Sequence, residues 1–491
     1  MKFVADLHLH SKYSRAVSQD MTLSKMAEWA KMKGINVLAT GDFCHPFWFE
    51  QLKTELEDSG NGLYKLKSTD YGLQTTSNSK TVDSRQSAVD KQEIHFLLSC
   101  EISSIYSQGG KGRRIHNLFF FPSLRSVEKF NSELLKRGAN LRSDGRPIVG
   151  ISSRDLAKIA LDIDDKALVI PAHAWTPWFS IFGSFSGFDS IEECFGDMAP
   201  YIYGIETGLS SDPAMNWQIA DLDSRSILSF SDAHSLEKMG REATVFEADG
   251  ISYEAIYQAI ANSRKLGKFR ESENSENQSV RISGKSDNLN HRTTESSEYS
   301  ELPRIAFTIE FYPEEGKYHF TGHRNCNVSQ SPEETAQNGD VCPVCGRHLT
   351  VGVMHRVKQL ASHEISNFKF QISNGVRWVY QQGDKRPPYV SMVPLGEIIA
   401  EAFDVAPKTK KVMDCYMLLV EKFGSEFALL INAEISEIAK YAPSKIGEGI
   451  QKVRNGEITI EPGYDGKFGI VKIWDEEEHR EVDESQLNLF A

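Results

Sequence analysis

His8 and His10 lie two residues apart, as do Asp232 and His234. On a strand, residues two apart face the same side, so each pair can chelate one metal ion. Asp42, Glu101, His116, His173 and Glu206 also close short apolar runs. Six of the seven histidines in residues 1–265 (His8, His10, His45, His116, His173 and His234) fall at or just past such runs, and only His95 begins one. Packed core histidines would not gather at one end of a sheet. Imidazole mixed with carboxylate suits zinc, manganese or iron better than calcium, and carboxylates able to bridge imply two or more ions. Such a centre lowers the pKa of water and clamps a phosphoryl group. Asp6 shares the first face and is placed to orient a ligand. A second set, His323, Cys326, Cys342 and Cys345, forms two pairs with two-residue gaps, the Cys3His spacing of a zinc ribbon or knuckle. Pro343 and Gly346 suit the turn of the second pair. Four protein ligands leave no open position, so this zinc is expected to be structural.

Seven β-rich runs must position the first set: MKFVADLHLH, INVLATGDF, IHFLLSCEIS, IHNLFFF, ALVIPAHAW, YIYGIETG and SILSFSDAH. Helical segments between them, such as TLSKMAEWAKMKG before Gly34 and SSRDLAKIALDI behind Ser152 or Ser153, complete the pattern of a parallel α/β sheet or barrel. Barrels of this kind carry their chemistry at strand C-termini. Residues 1–265 are therefore read as the catalytic domain, a parallel α/β sheet or barrel. Residues 266–302 are read as a flexible linker or insert, because 271–302 holds eight serines and few large apolar residues. Residues 303–360 form the zinc module. Residues 361–480 read as a helical domain from the 3.6-residue periodicity of VPLGEIIAEAF and of DCYMLLVEKFGSEFALLINAEISEIAKYA. Lys408, Lys410, Lys411, Lys445, Lys452 and Arg454 there could meet phosphates, and KIGEGIQKVR resembles a Gly-rich DNA-backbone hairpin.

The chain has 491 residues, 40% hydrophobic and 25% charged, and a net charge of −13. This is the composition of globular domains. The charge argues against coating nucleic acid by overall electrostatics, though not against a local basic groove. No apolar run nears the ~18 residues of a membrane span, Asp6, His8 and His10 interrupt any leader-like start, and seven cysteines with three clustered fit a reducing compartment. A cytoplasmic protein with no membrane partner is expected. After the acidic run DEEEHREVDES, residues 481–491 end in Gln486-Leu487-Asn488-Leu489-Phe490-Ala491, apolar side chains on an acidic tail. Gln486, Leu487, Leu489 and Phe490 are similar to the QLxLF peptide by which bacterial replication and repair proteins dock on the sliding clamp.

The ordered series DLHLHSKYS, TGDFCHP, LSCEIS, the histidine of RRIHN, IPAHAW and SFSDAH resembles the polymerase-and-histidinol-phosphatase (PHP) superfamily. The resemblance implies a distorted (β/α)7 barrel hydrolysing phosphoesters, with a metal cluster drawn from His8, His10, Asp42, His45, Glu101, His116, His173, Asp232 and His234. Asp232, Glu101 and His173 are its expected catalytic residues. Many members carry a further histidine where this chain has Ser14 and Arg15, and a T-D-H motif where it has Gly41-Asp42-Phe43-Cys44-His45. The order of barrel, EFYPEEGKYHFTGH, CPVCG module, GVMHRV and helical domain resembles the endonuclease Q family. That resemblance implies nicking of damaged DNA 5′ of deaminated bases (deoxyuridine, deoxyinosine, xanthine) and of abasic sites. A flipped base needs an aromatic pocket, for which Trp175, Trp178 and Phe179 in AWTPWFSIFG are the candidates. Two other readings are a small-molecule phosphoesterase of histidinol-phosphatase type, which needs neither zinc module nor tail, and a non-catalytic clamp-associated DNA-binding scaffold.

Overall fold

The computed structural model describes residues 1–67, 92–262, 302–363, 368–383 and 385–475. All seven expected runs contain strands: β1 (Lys2–Asp6), β2 (Val37–Ala39), β3 (His95–Gln108), β4 (Lys111–Phe121), β5 (Leu168–Pro171), β6 (Gly204–Glu206) and β7 (Ser226–Leu228). β1, β2 and β3 are parallel neighbours, as are β6 and β7. Ala174 N donates to Glu206 O (3.0 Å), which brings β6 beside the end of β5. A parallel bridge between Leu9 and Ala233 returns the chain after β7 to β1.

The parallel expectation fails at β4, which is antiparallel to both β3 and β5. Only Gly109 and Gly110 separate β3 from β4, too few residues for a crossover helix. Both have positive φ (61° and 74°), as a two-residue hairpin turn requires. The helices match expectation more closely. Leu23–Lys33 ends at Gly34, whose φ of 88° terminates it. Ser153–Ile163 begins at Ser152, whose Oγ accepts the Asp155 amide (3.1 Å).

Beyond β1 the sheet continues through β8 (Ala243–Glu247) and β9 (Arg304–Glu310), both antiparallel additions. It runs on through β10 (Phe368–Ser373), β11 (Val376–Gln381) and β12 (Tyr389–Ser391). Residues 361–480 are therefore not helical throughout. FKFQIS and VRWVYQ alternate around Asn374-Gly375, again with positive φ at both positions, and fold as a hairpin. The helices of this region are Leu395–Ala402, Lys410–Phe423 and Ser444–Asn455. Gly449 in the last is explained by packing, since a Cβ there would meet the Trp474 ring at 2.7 Å. Arg454 is 3% exposed and donates to Leu429, Leu430 and Ala433 carbonyls, so it braces the helices and meets no phosphate.

A buried ion pair joins the first helix to this region. Lys33 Nζ lies 2.8 Å from Glu426, which also accepts the Tyr416 hydroxyl (2.8 Å) and the Leu395 amide (3.0 Å). Both charged side chains are only 3% exposed. Lys33→Met would leave the carboxylate buried without its cation, so stability is expected to fall by about 3–5 kcal/mol, read as a lower urea midpoint. Among the described residues no helix is long and apolar enough to cross a membrane.

Candidate metal centre

The strand ends converge their polar side chains on three ligand groups: His8, His10 and Glu101; His10, Asp232 and His234; and Glu101, His116 and His173. Glu101 and His10 each belong to two of them. Glu101 Oε2 lies 3.6 Å from His8 Nε2 and 3.2 Å from His10 Nε2, and Oε1 lies 3.0 Å from His173 Nε2 and 2.5 Å from His116 Nδ1. Asp232 Oδ1 is 3.2 Å from His10 Nε2 and 3.5 Å from His8 Nε2. The β3–β4 hairpin accounts for one meeting. His116 pairs with Ser103 and Glu101 with Leu118, so Glu101 and His116 are diagonal neighbours in mid-strand rather than at a strand end.

The residues fit metal ions. His8 Nε2, His10 Nε2 and Asp232 Oδ1 are buried with no hydrogen-bond partner, an arrangement that costs free energy unless something binds there. The opposite ring nitrogens are held in place: His8 Nδ1 donates to Glu206 (2.9 Å) and His10 Nδ1 to Asp42 (3.1 Å), which turns each Nε2 towards the cluster. Glu206 also accepts the His173 amide (2.7 Å). Asp6 accepts from Ser231 N (3.0 Å), Ser231 Oγ (2.6 Å) and Gly240 N (2.9 Å), tying β1 to the segment after β7. Burial opposes the charge on both central carboxylates. The Arg146 cation and hydrogen bonds from His10 and His116 nevertheless hold Glu101 well below the usual carboxylate range, and His8 and His10 hold Asp232 below it. Burial takes His116 down to about 4 against the pull of Glu101, while the facing carboxylates raise His8, His10 and His173. Asp232 and His173 have φ of 47° and 30°, in the left-handed region costly for such residues, and strain of this kind gathers at functional sites.

Two expected ligands lie outside these groups. The Asp42 carboxylate is occupied by His10, the Ser11 amide and hydroxyl (both 2.7 Å) and the Ser14 hydroxyl (2.9 Å), so it orients His10 instead of facing an ion. His45 precedes helix Pro46–Glu55 and stacks on Tyr13, ring centroids 4.6 Å apart. Asp42→Asn is expected to lower kcat/KM about 10–100-fold, because its amide would present a donor to Ser11 or Ser14; metal affinity measured on the same protein should fall in parallel. Arg146, missing from the sequence reading, donates to Glu101 Oε2 at 3.2 Å. It lies in a loop without periodicity, and only its neighbour Gly145 leaves a trace. A Cβ on Gly145 would meet Ser14 Oγ and Asp42 Oδ2 at 2.3 and 2.4 Å.

The loop after His173 carries the aromatic candidates. Trp175 is fully buried against Phe182 and donates to Asn216 Oδ1 (2.8 Å), so it anchors the loop and cannot wall an open pocket. Trp178 stacks on Phe185, centroids 4.8 Å apart, and Phe179 lies 4.8 Å from the His116 ring. Arg356 of helix Val353–Leu360 clamps this loop by donating to Phe182 O (3.0 Å) and Phe188 O (3.1 Å).

That helix follows the second ligand group, His323, Cys326, Cys342 and Cys345, brought together as expected. Cys345 Sγ lies 3.4 Å from His323 Nδ1. The Cys342–Cys345 turn closes with Gly346 N donating to Cys342 O (2.9 Å) at a Gly346 φ of 74°. Three thiols and an imidazole at this spacing fit tetrahedral zinc. The clamp residues Gln486, Leu487, Leu489 and Phe490, and nearly all of the 266–302 insert, lie outside the described residues.

The chain matches the family model described as PHP-associated over residues 227–264 and that of the MJ0043 C-terminal domain over 394–457. The uncharacterized protein MJ0043 of Methanocaldococcus jannaschii is 29% identical over 304 residues, 60% of this chain and 31% of that protein. The chain thus spans under a third of that relative. The uncharacterized protein YqxK of Bacillus subtilis is 27% identical over 485 residues, 96% of this chain and 99% of its own. Among solved structures, the lesion-specific endonuclease PfuEndoQ of Pyrococcus furiosus superposes with a TM-score of 0.71 at 28% identity, covering 97% of this chain and 96% of that one. Endonuclease Q bound to a 27-mer duplex with an abasic lesion at its active site gives the same TM-score and identity, covering 97% and 98%. Over nearly its whole length, this chain resembles endonuclease Q.

Proposed function

We propose that this chain is a metal-dependent DNA repair endonuclease that nicks 5′ of deaminated bases and abasic sites. It is a hydrolase of phosphodiester bonds, built on a distorted (β/α)7 barrel of the PHP type. The observation that carries the reading is the set of three ligand groups sharing Glu101 and His10, in a chain that matches endonuclease Q from end to end. Two or three zinc, manganese or magnesium ions bound there supply Lewis acidity to water and to the scissile phosphate. The chain's own residues prepare the site. Glu206 and Asp42 fix the ring orientations of His8 and His10. Glu101 and Asp232 stay ionised between the imidazoles. Arg146 sets a permanent cation beside Glu101, where an incoming phosphate would meet it. Phe179 lines the His116 end, where an extruded base could stack, and Trp178 precedes it, stacked on Phe185. The small-molecule phosphatase reading leaves the zinc module and its clamp on the aromatic loop without purpose, and the scaffold reading leaves the orphaned ligand atoms unexplained.

The tail Gln486, Leu487, Leu489 and Phe490 docks on the sliding clamp, raising the local concentration of a chain whose charge of −13 disfavours free DNA binding. If a protein lacking residues 486–491 is retained by immobilised clamp as well as the full chain, this tethering is wrong. The endonuclease reading is tested on matched duplexes with deoxyuridine, deoxyinosine, an abasic site or no lesion, in manganese or magnesium, mapping each nick to the nucleotide. Cuts are expected just 5′ of the lesion and absent from the undamaged duplex; lesion-independent cutting would overturn it.

A further inference from the structure

We infer that a second aromatic platform, Phe47 with Tyr13 and His45, holds the DNA strand at the end of the metal centre away from Phe179. This rests on the endonuclease reading and adds a substrate contact to it. Phe47 lies in the first turn of helix Pro46–Glu55 and is 55% exposed, a large apolar ring facing solvent. Its ring lies 6.4 Å from Tyr13 and 5.8 Å from His45, and Tyr13 stacks on His45 at an interplanar angle of 21°. His45 is 5% exposed, and its Nδ1 is buried without a partner.

Cations frame the rings. The Arg142 guanidinium lies 5.5 Å from the Phe47 ring centre and Lys12 Nζ 5.5 Å from that of Tyr13, while the Arg15 side chain, 77% exposed, lies 3.5 Å from the Asp144 carboxylate. Aromatic faces interleaved with Arg and Lys are what a nucleic-acid strand requires, bases stacking and phosphates meeting the cations. On a chain with net charge −13 such a basic strip is a local exception.

The platform is wired to the metal ligands. Tyr13 O accepts the Gly145 amide (3.1 Å), and Ser14 beside it donates to Asp42, which holds His10. One short loop carries Arg142 to Phe47 and Arg146 to Glu101. A strand whose phosphate sits at Arg146 is thereby directed towards Arg142 and Phe47. The lesion-side aromatic Phe179 stands at the His116 end of the same ligand row. The ligand is thus a nucleobase with its phosphates, flanking the scissile bond on the side away from the lesion.

The test compares wild type, Phe47→Ala and Phe47→Trp on an abasic-site duplex carrying 2-aminopurine at successive positions on each side of the lesion. Phe47→Ala is expected to raise KM about tenfold, as loss of one stacked base would, with kcat within twofold and metal content unchanged. It should abolish the 2-aminopurine signal at one position on the 5′ flank and spare those next to the lesion, and Phe47→Trp should restore both readouts. Wild-type incision with unchanged KM and fluorescence profile in Phe47→Ala would overturn the platform alone. No lesion-dependent incision by wild type would overturn the endonuclease reading and the platform with it.

Discussion

Asp232→Ala is expected to lower single-turnover incision of an abasic-site duplex on the order of 10³-fold or more while leaving a folded protein with a cooperative thermal transition. The rate effect follows from what Asp232 does. Its Oδ1 faces both His8 and His10 and has no hydrogen-bond partner, so removing it strips a ligand atom from one group and charge from the next. The fold should survive the change. Among the described residues the Asp232 carboxylate faces only the clustered histidines and holds no element of the scaffold, and a functional residue of this kind is expected to be replaceable without unfolding. Elemental analysis should show fewer ions per chain in the variant. Near-normal incision would mean that Asp232 is not a working ligand.

Cys342→Ser should have the largest structural effect. Zinc bound by a full set of four ligands contributes on the order of 10 kcal/mol to folding of small modules, and the module has few other resources. Its strands Thr321–His323 and Val328–Gln330 are three residues each, and of the four ligands only Cys342 is buried. Loss of one zinc per chain is expected, with new protease cleavage between His323 and Thr350. The effect should spread to the metal centre's rim, because helix Val353–Leu360 carries the Arg356 that clamps the Trp178–Phe185 loop. Incision of lesion duplexes should therefore fall while the barrel's own ions remain. Unaltered zinc content and protease resistance would refute the structural-zinc assignment.

The strands and most ligands were legible because each apolar run is short and ends in a side chain with few reasons to be there. His8, His10, Glu101, His116, His173, Asp232 and His234 fall into three overlapping groups. What the sequence did not reveal was the division between ligands and the groups that aim them. Asp42 and Glu206 also close apolar runs, and only the three-dimensional count of donors around each carboxylate shows that both serve histidines. The β3–β4 hairpin is encoded in Gly109-Gly110 and the later one in Asn374-Gly375, the positive-φ positions of two tight turns. Arg146 reaches Glu101 across 45 residues of chain from a loop that has no pattern. Trp175 and Trp178 are three residues apart in one aromatic run, and only packing separates the fully buried anchor from the half-buried ring.

The most direct test sets the two enzymatic readings against each other on one preparation. Manganese-loaded protein would be given an abasic-site duplex and, separately, a simple phosphomonoester, with Asp232→Ala as the blank in both. The account predicts a single nick 5′ of the abasic site, lost in the blank, with phosphomonoester hydrolysis at background. Efficient phosphomonoester hydrolysis with an intact duplex would contradict it and make the barrel a small-molecule phosphatase.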